Sequence, residues 1–169
     1  MKHHHLPGFC ALGLLSLTLS GCISNPDKPV PSALAKLEAV GGSPVRGLVT
    51  LGEHQGMMRI FVDVTGLPGE HGFHIHEEAD CRTAIANISK GHFNPDGKPH
   101  GEHAGDLGNI RADIYGTMRA PIFNKTLTVT GKYGVIGHTL IITSHPDDYR
   151  SQPDGRSGVA IACGQILPI

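Results

Sequence analysis

The 169-residue chain has no excess of one charge, no basic run, no internal repeat and no apolar stretch of membrane-spanning length. Its 14 Lys and Arg nearly balance 15 Asp and Glu, which leaves no electrostatic footprint for nucleic acid. Without a repeat the chain is not a solenoid or propeller array. The apolar run Leu12 to Leu19 is too short to cross a bilayer as a helix, so MKHHHLPGFCALGLLSLTLSGC reads as a secretory signal. Cysteine is scarce too, at 4 in the whole chain. What the chain has in quantity is glycine (23), proline (12) and histidine (12).

The signal ends in Leu19-Ser20-Gly21-Cys22, which resembles a bacterial lipobox, with residues 1–21 removed and lipid attached to Cys22. His3, His4 and His5 are tag material or a variant n-region and stay outside the site argument. Residues 22–32, including NPDKPVPS, read as a tether between a membrane anchor and a folded domain at 33–169. That domain is long enough for a real core. If Cys22 carries lipid, Cys81 and Cys163 remain, as an oxidised pair in an exported compartment or as two separate buried thiols.

Short apolar segments follow one another between Gly, Pro, Asn and Asp: Val45 to Leu51, Met58 to Val64, Leu127 to Val129, Thr139 to Thr143 and Val159 to Ile166. This punctuation predicts an all-β sandwich or barrel. Met58, Ile60, Val62 and Val64 alternate with Arg59, Phe61 and Asp63, the period of a strand buried on one face. Ser32 to Val40 suits a short helix or a strand, and Gly41-Gly42-Ser43-Pro44, placed as a hairpin turn, favours the strand. Glu77 to Arg111 shows almost no strand pattern and reads as a long functional loop.

Most candidate ligands lie in and just before that loop. His74, His76, His92, His100, His103 and Asp106 fall within 33 residues, the last four spaced H-x7-H-x2-H-x2-D. Imidazoles and a carboxylate at such spacing can converge on one tetrahedral ion, because the Gly and Pro of GHFNPDGKPHGEHAGD let the chain curl back.

On these residues the chain resembles the copper/zinc superoxide dismutases, particularly bacterial envelope forms. The similar stretches are HGFHIHE (71–77), Cys81, GHFNP (91–95), HAGDLGNI (103–110), GHTLII (137–142) and ACGQI (162–166), in order. The resemblance implies an eight-stranded Greek-key β-barrel, an immunoglobulin-like sandwich, with long metal-binding loops. It implies copper at His74, His76 and His92 and zinc at His92, His100, His103 and Asp106, with His92 bridging; the loop around His100 to His103 is shorter than in many members. It further implies Asp147 linking a copper histidine to a zinc histidine, a Cys81–Cys163 disulfide, and superoxide as substrate; a homodimer is compatible with it.

The chain departs from that pattern twice. The family's fourth copper histidine falls on Thr143, and His145, two residues on and about 6.8 Å along a strand, reaches copper only if the chain bends. The anion-docking arginine three residues before the last cysteine falls on Ala160, with Arg150 and Arg156 as nearby substitutes. Three readings follow: a weakened dismutase; a non-catalytic zinc-stabilised lipoprotein that stores or transfers copper; and an envelope lipoprotein with zinc as a structural staple. Copper therefore decides whether the protein is an enzyme. The expected location is the periplasmic face of the bacterial envelope, and Ile23 after Cys22 favours the outer membrane.

Overall fold

A computed structural model of the protein describes Met1 and residues 30–88 and 91–169. The expected signal, Cys22 and most of the tether lie outside the described residues. Among the described residues eight strands run in the order β1 (Ala33–Ala39), β2 (Arg46–His54), β3 (Met57–Thr65), β4 (Glu70–His76), β5 (Asp106–Arg111), β6 (Met118–Asn124), β7 (Thr139–Thr143) and β8 (Ala160–Pro168), with one short helix, α1 (Cys81–Ala86). Among the described residues no helix is long and apolar enough to cross a membrane.

Every pairing between these strands is antiparallel, in the spatial order β5-β4-β7-β8-β1-β2-β3-β6. The two edge strands, β5 and β6, approach one another, so the sheet nearly closes into the Greek-key barrel. β1 to β3 are consecutive hairpins, after which the chain crosses to the other half for β4 and β5, and only β8 returns beside β1.

Alternation explains the first half. Met58, Ile60, Val62 and Val64 of β3 are all fully buried, as are Ala33, Ala35 and Leu37 of β1, so period two prevails over a helix at 33–39. Gly41 and Gly42 turn the chain with φ of 63° and 80°, a conformation that suits glycine. Facing strands interdigitate Leu51, Ile60, Phe73, Ile75, Leu140, Ile142 and Ile166, each side chain contributing about 1.5–3 kcal/mol by burial.

Two expectations need correction. The stretch from Glu77 to Arg111 is not one loop, because it contains α1 and β5. Leu127 to Val129 is not a strand either: Leu127 is buried in the core, but Thr128 makes only an isolated bridge to Gly134.

Candidate metal centre

β4 carries His74 and His76, two residues apart and therefore on one face. Its pairing with β5 shifts register between Gly72 and His74 and sets His74 opposite Asp106. The segment holding His92 is fastened across β4 by backbone hydrogen bonds: Phe93 N donates to Ile75 O (2.8 Å), Ile75 N to Gly105 O (2.9 Å) and Gly105 N to Phe93 O (2.8 Å). Five of the six expected ligands thus hang on β4, the start of β5, or a segment bonded directly to β4 and its neighbours. His100, the sixth, is gripped from the β7–β8 loop, where Gln152 Oε1 accepts from His100 N (2.8 Å) and Gln152 Nε2 donates to His100 O (3.2 Å).

One ligand atom from each of His92, His100, His103 and Asp106 lies within 4.8 Å of the others. Asp106 Oδ1 is 2.8 Å from His92 Nδ1, 3.2 Å from His103 Nδ1 and 3.4 Å from His100 Nδ1. A tetrahedron with arms of about 2.0–2.1 Å has edges of roughly 3.3 Å, so this spacing fits a zinc-sized ion. Hydrogen bonding alone fits poorly: three ring nitrogens crowd one carboxylate oxygen, while Oδ2 already accepts from Gly101 N (2.7 Å) and His103 N (3.0 Å). Burial opposes the Asp106 charge, yet the facing histidines outweigh it and lower its pKa to about 2.

Asp147 joins this group to the next. Its Oδ1 lies 2.9 Å from His100 Nε2 and its Oδ2 2.8 Å from His74 Nε2. Burial works against its charge, but those rings and the Tyr149 amide hold the carboxyl well below its ordinary range. An ionised carboxylate only accepts, so both Nε2 atoms carry hydrogen and both Nδ1 atoms present bare lone pairs. His74 Nδ1 and His100 Nδ1 are buried without a hydrogen-bond partner, as are His92 Nε2 and His76 Nε2. The His92 ring stacks on His74 at 4.1 Å between centroids and meets His76 edge-on at 4.9 Å. His92 thus faces the first group with Nδ1 and leaves Nε2 for His74 and His76. Three buried imidazoles with bare nitrogens are a donor set that suits copper. Burial, and then the repulsion that protonated His92 or His74 would exert, lower the His76 pKa to about 2, keeping that ring neutral.

No fourth imidazole joins them among the described residues. Thr143 is fully buried at the end of β7, and its hydroxyl donates to Gly72 O (3.2 Å) or His145 O (3.3 Å). The His145 side chain, which could reach copper only through a bend of the chain, is exposed, its Nδ1 3.0 Å from Ser144 Oγ. The chain does bend there, but the bend is held by the backbone, with His145 O accepting from Gly72 N and His145 N donating to Ser157 O, and it turns the ring outward. Ala160 packs with Ala84, Ile141 and Cys163 in a small apolar cluster. Arg150 and Arg156 are exposed, and the Arg156 charge lies beside Asp148. Cys81 and Cys163 form a disulfide, tying the start of α1 to β8.

Two positioning residues escape a reading by motif. Asn109 Oδ1 accepts from Asp147 N (2.7 Å) and its Nδ2 donates to Asp147 O (2.9 Å). Asn109 stands inside HAGDLGNI, so its neighbourhood was a signal, whereas nothing around Gln152 points to His100.

Fold and site together define a β-barrel metalloprotein with a two-part histidine centre. Residues 45–166 match the family model for copper/zinc superoxide dismutase. The chain is 40% identical over 135 residues to copper-zinc superoxide dismutase 2 of Aquifex aeolicus (strain VF5), covering 72% of this chain and 79% of that one. It is 35% identical over 173 residues to the copper-zinc superoxide dismutase of Paramecium bursaria Chlorella virus 1, covering 92% and 87%. A crystal structure of the clock protein EA4 superposes with a TM-score of 0.71 at 32% identity, covering 82% of this chain and 96% of that one. The chain belongs to the copper/zinc superoxide dismutase family, and copper and zinc are the metals that membership implies.

Proposed function

We propose that the protein is an envelope-anchored copper/zinc superoxide dismutase whose turnover is reduced. Zinc is held by His92, His100, His103 and Asp106, and copper by His74, His76 and His92. The observation behind this reading is Asp147, whose two oxygens meet one ring of each group and leave each with a bare, buried Nδ1.

Copper supplies the one-electron alternation that turns superoxide into oxygen and hydrogen peroxide, and zinc supplies a fixed charge without redox chemistry. Asp147 sets the tautomer and orientation of His74 and His100. His92 Nε2, buried beside His74 and His76, would carry a proton only when it is not a metal ligand and would then give it to the peroxide product, the second proton coming from water. Turnover falls because a neutral threonine hydroxyl replaces a fourth donor and because apolar Ala160 offers the anion no charge. Lost steering alone slows encounter by about 10- to 1000-fold.

A second reading, a zinc-stabilised lipoprotein that stores or transfers copper without turnover, is favoured by the joint presence of Thr143 and Ala160, which bear on separate steps. Metal analysis after growth with both metals, coupled to a superoxide assay, separates the two. Dismutation above free-copper controls in protein loaded at His74, His76 and His92 supports the enzyme, and its absence in such protein overturns it. Lipid on Cys22 accounts for the anchoring, and Cys22→Ala is expected to release the protein from the membrane fraction. Fractionating the membranes tests the outer-membrane placement suggested by Ile23.

A further inference from the structure

We infer that the copper side of the centre is a three-imidazole site that holds copper(I) in preference to copper(II), and that the lack of a fourth imidazole at position 143 sets this preference. The inference rests on the placement of copper proposed above.

The donor count carries it. His74 Nδ1, His76 Nε2 and His92 Nε2 are buried imidazole nitrogens without hydrogen-bond partners. The wall beside them is built of poor donors. A Cβ placed on Gly72 would lie 2.5 Å from Thr143 Oγ1, 2.9 Å from His74 Cε1 and 3.0 Å from Ser157 Cβ, so the threonine hydroxyl and the His74 ring border the same small volume. That hydroxyl spends its proton on a backbone carbonyl, and a neutral alcohol is a weak donor to a soft ion. Ala160 is enclosed in its apolar cluster and His145 is turned out to solvent.

Copper(II) favours a tetragonal set of four or more donors, whereas copper(I) tolerates three. The packing also resists a remedy from the chain, because Gly72 is tied to His145 through its N–H and to the Thr143 hydroxyl through its C=O. With one donor short, the oxidised ion loses more than the reduced one, and the reduction potential rises. A site of this kind accepts an electron readily and returns it slowly, which accounts for reduced turnover without loss of copper.

The test compares the zinc-loaded native chain with Thr143→His, Thr143→Val and His145→Ala. Copper(I) affinity is measured anaerobically against bicinchoninate, and copper(II) affinity against nitrilotriacetate. Thr143→His is expected to lower the ratio of copper(I) to copper(II) affinity at least tenfold, a fall of about 59 mV in potential. Thr143→Val and His145→Ala leave the ratio unchanged. An unchanged ratio in Thr143→His overturns the inference, and so does a changed one in either other variant, which would make the hydroxyl or His145 a ligand. Should Thr143→His fail to fold, the copper(II) electron paramagnetic resonance spectrum of the native chain decides: coupling to three nitrogens supports the inference and coupling to four overturns it. A zinc-loaded chain that takes up no copper overturns both this inference and the copper placement beneath it. One that binds copper without the preference overturns this inference alone.

Discussion

Asn109 and Asp147 hold each other by a reciprocal pair of hydrogen bonds, Asp147 N to Asn109 Oδ1 at 2.7 Å and Asn109 Nδ2 to Asp147 O at 2.9 Å. Through this clamp an edge strand fixes the carboxylate that orients His74 and His100. Asn109→Ala removes both bonds but none of the proposed ligands. Zinc affinity is expected to fall about 10- to 100-fold, the usual cost of losing support behind a metal ligand. Competition with a chromogenic zinc chelator measures it, and unchanged affinity would show that the Tyr149 and His contacts suffice to hold Asp147.

The metal-free protein is expected to be acid-labile from about neutrality downward. Burial, with the repulsion that a protonated His92 or His74 would add, lowers the folded His76 pKa from 6.5 to about 2, so between those values the unfolded chain binds a proton that the folded chain refuses. Stability contributed by the neutral ring is therefore present above 6.5 and is lost as pH falls toward 2. Asp106, lowered from 3.8 to about 2, acts with the same sign over its narrower window. Urea midpoints of chelator-treated protein should fall steadily between about pH 7 and pH 5, the range in which only histidine among these groups titrates. A flat profile across that range would count against a buried neutral His76.

How far this centre was legible depends on where each residue gets its partners. β3 announced itself because Met58, Ile60, Val62 and Val64 face one core. β4 did not, since its interior positions include His71, Gly72, His74 and His76, and the histidines that make it functional erase its apolar period. β5 begins at a prospective metal ligand, Asp106, and is half-buried along most of its length. β6 lies at an edge, carries Pro121 and alternates half-buried with exposed residues, so it has no strong period either. The ligands themselves could be read because they are clustered in the chain. Gln152, 52 residues from His100, and Asn109, 38 residues from Asp147, meet their partners only through the fold.

The Cys81–Cys163 bridge spans a sequence separation of 82 and ties α1 to β8. For a loop of that size the chain-entropy model gives about 4.5 kcal/mol of stabilisation. Cys81→Ser with Cys163→Ser is expected to lower stability by about that amount, within the usual 2–5 kcal/mol. None of the proposed ligands is on α1, so zinc affinity at a temperature where the variant remains folded should change much less than the unfolding midpoint. A parallel loss of zinc binding in folded variant would show that α1 shapes the metal loop directly.

Gly105 packs the ligand-bearing segment tightly against β4. A Cβ there would lie 2.3 Å from Ile75 O, 2.9 Å from Phe93 N and 3.0 Å from Phe93 Cβ, and two of these atoms belong to backbone that cannot swing aside. Gly105→Ala must push apart β4 and the strand-like segment at Phe93, both bound to Gly105 through its own N–H and C=O. The neighbours on either side of those contacts are His74, His76, His92 and Asp106. The substitution is therefore expected to cost about 1–3 kcal/mol by overpacking and to weaken zinc and copper binding together. Unfolding curves on the metal-free chain and titrations with each metal separate the two effects. Loss of stability with both affinities intact would mean that the clamp holds the barrel but not the ligands.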